Sequence, residues 1–265
     1  MELISKNNIK HIRSLEQRKF RRQEGLFVAE GNKLVQDNLT SMHCCQLVAT
    51  DAWWDRNPKA ANVADECFRI TESDMERLSF MQAPQEVLGV FRIPDHQLTP
   101  SLIDDLGHQL VVALDEVQDP GNLGTIIRLC DWFGVRHIIC SPNTADCYAP
   151  KVVQATMGAI ARVQVHYTDL PDFLSRMRQK GVPVYGTFLE GTDIYQTDLT
   201  PHGIIVMGNE GRGISDAVKA TVSHKLFIPP YPSDALTSES LNVGIATAIT
   251  VSEFRRRMVK GAAIF

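Results

Sequence analysis

Residues 203–254 constrain the fold most, because two apolar strands there each run into a polar loop and then a helix. Residues 204–207 form a continuous apolar run, which is typical of a strand buried on both faces. A turn with three glycines in six residues follows at 208–213, and glycine permits backbone conformations that other residues avoid. A second apolar strand ends at Ile228, and a polar loop leads from it into a helix that opens near residue 240. Loops that join strand ends to helix starts form the ligand-binding edge of a parallel sheet, so we expect a pocket here.

The same alternation of apolar strands and short helices extends over residues 109–265. The other predicted strands cover residues 110–114, 136–140, 163–166 and 182–188, and the other predicted helices cover 123–133, 150–160 and 169–180. Strands separated by helices favour a mainly parallel sheet with helices on both faces. The pattern therefore predicts an α/β domain.

Residues 1–95 show the pattern of a second, smaller α/β domain. Helical spacing of apolar residues covers 8–22. Short strands are predicted at 26–29, 46–49, 68–71 and 87–91, with helices at 31–39 and from residue 73. Residues 96–108 are mostly polar and contain Pro100, which predicts a linker between the two domains.

Positive charge is concentrated at the amino terminus, although the whole chain has a net charge of −4. Residues 1–26 contain seven Lys and Arg residues against three Glu residues, a local excess of +4. Such a cluster suits a phosphate-rich partner such as RNA. The candidates for phosphate contacts are Arg18, Lys19, Arg21 and Arg22. The alternative is an ordinary solvated helix face.

Two other features bear on the class of protein. The six cysteines have neither a CxxC pair nor another spacing typical of metal ligands, so no metal site is predicted. Free thiols, no signal-peptide pattern and no apolar run of about 18 residues favour a cytoplasmic protein without a membrane span. Trp53 and Trp54 could stack on nucleic-acid bases, but packing is the favoured interpretation of this pair.

The loop before the helix at 123–133 contains Gly121-Asn122-Leu123-Gly124, and Arg128 lies about one turn inside that helix. Asn122 or Asp119 could simply cap the helix. Arg128 could grip a phosphate, because a guanidinium group binds phosphate oxygens with a forked pair of hydrogen bonds. In that interpretation Asn122 and Arg128 point toward the same mouth of the pocket.

Glu210, Ser240 and Asn242 are the polar candidates in the other two loops. The turn around Glu210 lacks the GxGxxG and Lys-Ser/Thr patterns of nucleotide-binding loops, and its carboxylate suits a cationic ligand better than a phosphate. Glu210 and Ser240 could also be plain helix caps. No GxSxG occurs, so a serine hydrolase is not indicated.

In order and spacing, three segments resemble the three motifs of the SPOUT superfamily, specifically the SpoU/TrmH family of RNA ribose 2′-O-methyltransferases. The segments are DPGNLGTIIR, VMGNEGRGIS and IPPYPSDALTSESLNVGIATAI, within a resemblance over about residues 109–258. Residues 5–35 are similar to the start of the L30e-like RNA-binding domain that many such enzymes carry. The resemblance implies a parallel α/β domain with a deep trefoil knot. It also implies a homodimer that uses S-adenosylmethionine, releases S-adenosylhomocysteine and needs no metal.

The resemblance also implies roles for individual residues. The implied catalytic residues are Arg128, Asn122, Glu210, Ser240 and Asn242. The implied cofactor-binding residues are Thr187, Leu189, Gly208, Asn209, Gly211, Ile228 and Leu241. Arg128 would hold the phosphate beside the target ribose, and the proton acceptor would be that phosphate or Arg128 itself. The loop at 229–240 is longer than the family pattern and contains Pro232, which leaves the cofactor geometry there open.

Several interpretations of function remain at this stage. The N-terminal domain would recognise the substrate, for which ribosomal RNA is preferred to transfer RNA because of the extra domain. A non-catalytic RNA-binding factor in ribosome assembly is an alternative, and the complete set of implied catalytic residues argues against it. An NAD-dependent oxidoreductase is a third, but the chain lacks the glycine spacing of such enzymes.

Overall fold

The computed structural model describes residues 1–232 and 238–261, with side chains up to residue 258. The chain divides into two compact units. Unit 1 contains residues 1–95 and 146–162, and unit 2 contains residues 96–145 and the described residues from 163 onward. This division differs from the predicted one, which assigned 96–108 to a linker and 146–162 to the larger domain.

Strands and helices are numbered along the whole chain. The strands are β1 Glu2–Leu3, β2 Leu26–Glu30, β3 Cys44–Ala49, β4 Ala64–Arg69, β5 Val87–Arg92, β6 Leu110–Leu114, β7 His137–Cys140, β8 Gln164–Tyr167, β9 Val184–Asp193, β10 Gly203–Met207 and β11 His224–Phe227. The α-helices are α1 Lys6–Ser14, α2 Arg18–Glu24, α3 Asn32–Leu39, α4 Asp51–Arg56, α5 Glu72–Leu78, α6 Pro100–Leu106, α7 Pro120–Trp132, α8 Pro150–Thr156, α9 Leu170–Gln179, α10 Asp216–Lys219 and α11 Val243–Gly261. Short 3₁₀ helices lie at Pro58–Asn62 and Ala159–Ala161.

Unit 1 is built on a five-stranded mixed sheet with the order β1-β4-β3-β5-β2. Apolar side chains from α1, α5 and strands β2 to β5 form its core, among them Ile12, Leu15, Val48 and Leu88. The predicted helix at 8–22 is two helices, because the chain is extended at Gln17, the N-cap of α2.

The segment 146–162 belongs to unit 1 through its apolar side chains. Val152 and Val153 of α8 are buried, and the ring of Tyr148 lies 4.9 Å from that of Phe27 in β2. Helix α8 was predicted correctly as a helix, but its spacing alone did not indicate which core would receive these valines.

Unit 2 contains a six-stranded sheet with the order β11-β9-β10-β6-β7-β8, and all five strand pairings are parallel. The predicted parallel α/β fold is therefore confirmed, and the implied trefoil knot stays a prediction. The predicted linker contains α6, whose residue Leu106 is buried in the core of unit 2. An amphipathic helix that begins with a proline after a threonine cap was missed because its surroundings are polar.

The sheet of unit 2 places two of the predicted loops side by side. Leu114 at the end of β6 pairs with Met207 at the end of β10, so the loops after these strands start next to each other. The carboxyl edge of a parallel sheet collects such loops. Among the described residues, no helix combines the length and the apolar character that a membrane crossing requires.

Candidate active site

The loop after β6 holds Asn122 in the first turn of α7. The carboxylate of Asp119 accepts a hydrogen bond of 2.8 Å from the backbone N–H of Asn122, and Pro120 occupies the first helical position. Asp119 is therefore the N-cap of this helix. The side chain of Asn122 remains half-buried and available for contacts to other loops.

Glu210 connects the glycine-rich turn after β10 to the start of α7. Its Oε1 accepts hydrogen bonds of 3.1 Å from the backbone N–H of Asp119 and from Nδ2 of Asn122, and its Oε2 accepts one of 3.2 Å from the N–H of Gln118. Burial raises the pKa of Glu210, but the hydrogen bonds from Asn122 and from backbone N–H groups outweigh burial and lower it overall. The side chain is therefore an anion at neutral pH that holds two loops together.

Asn242 adds the third loop to this arrangement. Its Nδ2 donates a 2.8 Å hydrogen bond to Oδ1 of Asn122, and its Oδ1 accepts hydrogen bonds of 2.9 and 3.3 Å from the N–H groups of Gly244 and Ile245. Asn242 thus caps α11. The chain of hydrogen bonds Glu210–Asn122–Asn242, which we call the three-loop network, brings together one predicted residue from each segment.

Ser240 does not cap α11, because the helix begins three residues later, at Val243. The Ser240 side chain is exposed, and its carbonyl oxygen accepts a hydrogen bond from the Ser238 hydroxyl at 3.4 Å. Ser233, Asp234 and Thr237, which belong to the predicted polar loop after Ile228, lie outside the described residues.

The glycine-rich turn has a closed backbone geometry that explains its composition. The backbone groups of Asn209 and Gly213 exchange two hydrogen bonds of 2.9 Å. A Cβ atom on Gly208 would lie 2.2 Å from the carbonyl carbon of Gly213, so no other residue fits there. Oδ1 of Asn209 accepts hydrogen bonds of 3.0 and 3.1 Å from the N–H groups of Gly211 and Arg212. These predicted cofactor-binding residues first of all shape the turn.

Two carboxylates directly after β6 also belong to the site, although the sequence did not predict them. Asp115 is buried and accepts a 2.7 Å hydrogen bond from the N–H of Ser215. Glu116 accepts hydrogen bonds of 2.6 Å from Arg212 and 2.9 Å from Asn143, and its carbonyl oxygen accepts one of 2.7 Å from Asn209. Both line a cavity of about 240 Å³ at this edge of the sheet. The sequence feature that could have identified them is the position of two acidic residues immediately after a buried strand.

Of the remaining predicted cofactor residues, Thr187 and Leu189 lie on strand β9, and Ile228 and Leu241 lie in loops. Thr187 is in β9 and donates a 3.2 Å hydrogen bond to the carbonyl of Val206 in β10. Leu189 is also inside β9, which continues beyond the predicted end of the strand, and it is exposed. Ile228 follows β11 and is half-buried, whereas Leu241 before α11 is exposed.

Arg128 does not join the three-loop network of its own chain. It lies six residues after Asn122 on α7, so the two side chains are separated by about 120° around the helix axis. Its side chain is exposed, and within the described part of the chain it has no hydrogen bond or ion pair. Trp132, one turn later on the same face, is 85% exposed. Asn122 and Arg128 therefore share no hydrogen bond in the described part of the chain, and their facing one mouth of the pocket stays a prediction.

Helix α2 carries the four predicted RNA contacts, and they fall into two groups. Arg18, Lys19 and Arg22 are exposed. Arg21 is only 3% exposed. It donates hydrogen bonds of 3.1 and 2.6 Å to Oδ2 of Asp146, and Nη1 donates bonds of 2.7 Å to the carbonyl oxygens of Leu15 and Glu16. Arg21 is therefore a buried structural residue, and its proposed contact with RNA is corrected.

The tryptophan pair is part of the core of unit 1. Trp53 and Trp54 are both buried, and their rings meet edge to face with centroids 5.1 Å apart. Nε1 of Trp53 donates a 2.9 Å hydrogen bond to Asn32, and Nε1 of Trp54 donates one of 3.1 Å to the carbonyl of Phe68. The packing interpretation is confirmed.

Comparison with protein families gives two matches. Residues 109–252 match the SpoU rRNA methylase family, and residues 6–89 match an MRM3-like substrate-binding domain. The first match covers the sheet of unit 2 and all three loops of the network. The second lies within the N-terminal part of the chain, where the sequence predicted a substrate-binding domain.

Individual relatives match over nearly the whole chain. The 23S rRNA (guanosine(2553)-2′-O)-methyltransferase RlmP of Bacillus subtilis is 28% identical over 257 residues, which is 96% of this chain and 98% of the relative. A TrmH-family protein from Porphyromonas gingivalis superposes with a TM-score of 0.84 at 43% identity, covering 96% of this chain and 99% of that one. An AdoMet-bound rRNA methyltransferase from Sinorhizobium meliloti superposes with a TM-score of 0.82 at 31% identity, covering 97% and 98%.

These matches confirm the predicted enzyme class and its cofactor, S-adenosylmethionine. The structural matches also agree with the parallel sheet of unit 2. This chain belongs to the SpoU rRNA methylase family.

Proposed function

We propose that this protein transfers a methyl group from S-adenosylmethionine to a ribose 2′-hydroxyl of ribosomal RNA. The three-loop network carries the proposal, because it joins one polar residue from each of the three segments at the ligand-binding edge of the sheet. The relative RlmP, a 23S rRNA methyltransferase, supports a ribosomal substrate. The target nucleotide is a separate question, which mapping of 2′-O-methyl groups in RNA from cells lacking the gene would answer.

The residues around the glycine-rich turn fit S-adenosylmethionine. When bound, this cofactor supplies an electrophilic methyl group on a positively charged sulfur. The tight turn at Gly208 presents backbone rather than side chains, and Ile228 and Leu241 offer apolar surface suited to an adenine ring. Glu210 provides a fixed negative charge in the same turn that complements the cationic sulfur. Asn209 and Gly211 would hold the cofactor through the turn that they shape, with Thr187 and Leu189 on the neighbouring strand.

The reaction requires the ribose hydroxyl to lose its proton while it is aligned with the methyl group. Arg128 would hold the phosphate next to the target ribose with its forked N–H groups. An arginine side chain is too basic to accept the proton readily, so the phosphate oxygen is the better acceptor. Asn122 and Ser240 would orient the ribose and phosphate, and Asn242 keeps Asn122 in place through its 2.8 Å hydrogen bond.

A homodimer would bring Arg128 to the network of a second copy. Arg128 and Trp132 lie on one exposed face of α7. Ile245 is 52% exposed on α11, which packs against α7. Apolar side chains this exposed on adjacent helices are typical of an interface, and a two-fold axis would use the same patch on both copies. Analytical ultracentrifugation should show a dimer that dissociates on Trp132→Ser, and an unchanged dimer in this variant would contradict the proposed interface.

The function is tested by methyl transfer to RNA in vitro. Arg128→Ala should lower the rate by about 10²–10³, the usual loss when a group that stabilises the transition state is removed, with cofactor affinity nearly unchanged. Arg136→Ala is the matched control, because Arg136 is an exposed arginine beyond the same helix, and it should retain activity. Wild-type protein without methyl transfer to rRNA would favour the non-catalytic RNA-binding interpretation. Near-normal activity in Arg128→Ala would refute the role of Arg128.

A complementation experiment separates action within one chain from action across a dimer. Arg128→Ala and Asn122→Ala should each be inactive alone. Co-expressed, they form mixed dimers in which one of the two sites has both wild-type residues if Arg128 acts across the interface. About one quarter of wild-type activity should then return, as random pairing of two subunits predicts. No recovery from co-purified mixed dimers would contradict action across the interface.

The N-terminal match and the exposed basic residues of α2 support a role for unit 1 in binding RNA. Arg18, Lys19 and Arg22 form the basic surface that would contact phosphates. A ribosomal RNA substrate supports the predicted cytoplasmic location.

A further inference from the structure

We propose that unit 1 contains a binding site for a zinc ion, formed by His43, Cys45 and Asp65. Their ligand atoms, an imidazole nitrogen, a thiol sulfur and a carboxylate oxygen, all lie within 4.8 Å of one another. The methyl transfer proposed above uses none of these residues. The cysteine spacing predicted no metal, because His43 lies directly before β3, Cys45 lies in β3 and Asp65 lies in β4, which is distant in sequence and adjacent in space.

The sheet of unit 1 brings the donors together. Strand β3 runs parallel to β4, with Cys44 opposite Ala64 and Gln46 opposite Glu66, so Cys45 lies opposite Asp65. On its other side β3 pairs with β5, and that register shifts between Cys44 and Gln46. Cys45 is therefore the extra residue of a β-bulge, a feature that redirects side chains and is frequent near functional sites.

The distances are close to those of a metal centre. Nε2 of His43 and Oδ2 of Asp65 are 2.8 Å apart. Nitrogen, oxygen and sulfur ligands at about 2.0–2.3 Å from a tetrahedral zinc ion lie about 3.3–3.6 Å from one another. With these bond lengths, the distance between Nε2 of His43 and Oδ2 of Asp65 would increase by about half an ångström. The sulfur of Cys45 would move closer to both atoms by about one ångström. The side chains of His43 and Asp65 are more than half exposed, so rotation can accommodate these shifts.

The donor set selects the metal. Imidazole, thiolate and carboxylate together suit zinc, whereas magnesium and calcium prefer oxygen ligands alone. Three protein ligands leave a fourth position for water. The neighbouring cysteines are directed elsewhere, because the thiol of Cys44 contacts the carbonyl of Gln46 at 3.4 Å and that of Cys67 contacts the carbonyl of Ala61 at 3.5 Å.

The chain provides matched controls for a binding experiment. His11 and Glu24 form a histidine–carboxylate pair at 2.5 Å that is not part of a three-donor cluster among the residues searched. Cys67 is a half-buried thiol in the same unit. His11→Gln and Cys67→Ser therefore remove the same chemical groups without removing a proposed ligand.

The experiment is equilibrium dialysis of the reduced, chelator-treated full chain against buffered zinc, with metal and protein quantified. We expect one zinc ion per chain in the wild type and in both controls. His43→Gln, Cys45→Ser and Asp65→Asn should each weaken binding at least about tenfold, since even outer-shell changes at metal sites cost about 10–100-fold. With Co²⁺ as a spectroscopic probe, a thiolate-to-metal absorption band should appear and should be lost in Cys45→Ser.

Circular dichroism of each variant keeps a folding defect separate from a binding defect. Folded ligand variants that bind zinc as tightly as the controls would overturn the proposal. So would wild-type protein that binds less than stoichiometric zinc, or binding that is lost in Cys67→Ser but kept in Cys45→Ser.

Discussion

The loops of unit 2 and helix α2 of unit 1 use their polar side chains in opposite ways. Glu210, Asn122 and Asn242 bind one another at an open edge of a sheet, where Glu210 also holds the backbone of Asp119 and Asn242 caps α11. In α2, Arg21 turns inward to Asp146 and to two carbonyl oxygens, while Arg18 on the same helix faces solvent. The loops thus assemble a site that a ligand can reach, and α2 separates a structural arginine from a basic surface.

Arg21 and Arg128 differ in how many of their hydrogen-bond donors remain available to a ligand. An arginine has five N–H donors, and Arg21 makes four hydrogen bonds with the buried part of its side chain. Arg128 has no such partners in the described part of its own chain, so all its donors are available to a phosphate or to a second copy. Burial together with partner count therefore distinguishes a stabilising arginine from one that can act on a substrate.

The largest effect should come from removing Arg21. Arg21→Ala leaves the Asp146 carboxylate, which is mostly buried, and two carbonyl groups without their donor. Breaking a buried pair in this way typically costs about 3–5 kcal/mol of unfolding free energy. Urea denaturation of the full chain, monitored by the fluorescence of the buried Trp53 and Trp54, measures the loss of unfolding free energy.

Arg18→Ala is the control on the same helix. Arg18 is exposed, and such substitutions usually change stability by less than about 0.5 kcal/mol. Equal denaturation midpoints for the two variants would mean that Arg21 contributes no more to stability than Arg18. That result would contradict the distinction between a structural arginine and a basic surface on α2.

The two regions also differ in how far their structure could be predicted from sequence. Strand β6 was predicted at its observed bounds, because continuous apolar runs define buried strands. Since parallel strands end at one edge, the meeting of Glu210 with Asn122 followed from the order of strands and loops. The burial of Arg21 did not follow, because its partner Asp146 is 125 residues away. Asn122 and Arg128 share no hydrogen bond in the described part of the chain, because a six-residue spacing on a helix separates the two side chains by about 120°.

Element boundaries failed where tertiary contacts override local pattern. Strand β9 continues to Asp193 through polar residues, because it pairs again with β11 after a shift in register between Lys225 and Leu226. Helix α4 was not predicted from the sequence. It is a short helix that Thr50 caps, and it buries Trp53 and Trp54. In both cases the deciding interactions are not visible in a short window of sequence.

A charge reversal on α2 should have an intermediate effect, on RNA binding alone. Changing Arg18, Lys19 and Arg22 to Glu while keeping Arg21 should weaken RNA binding by about tenfold to a hundredfold, or about 1.4–2.8 kcal/mol. The salt dependence should also become shallower, because fewer counterions are released. Filter binding at several salt concentrations measures both quantities. Unchanged RNA affinity in a folded triple variant, with normal S-adenosylmethionine binding, would leave α2 with a structural role only.

Asn242 should contribute less to stability than Arg21, and two substitutions separate its two roles. Asn242→Ala removes the cap of α11 and the hydrogen bond to Asn122, and losing such a cap costs about 1 kcal/mol. Asn242→Asp keeps a cap, because a carboxylate still accepts from the N–H of Gly244, but it cannot donate to Asn122. If Asn122 turned its amide to donate to the introduced carboxylate, its oxygen would then face the Glu210 carboxylate. We therefore expect Asn242→Asp to melt near the wild-type temperature while methyl transfer falls about as far as in Asn242→Ala. Thermal melts and initial rates on the same preparations measure both effects, and full activity in Asn242→Asp would show that the bond between Asn242 and Asn122 serves only to hold the helix.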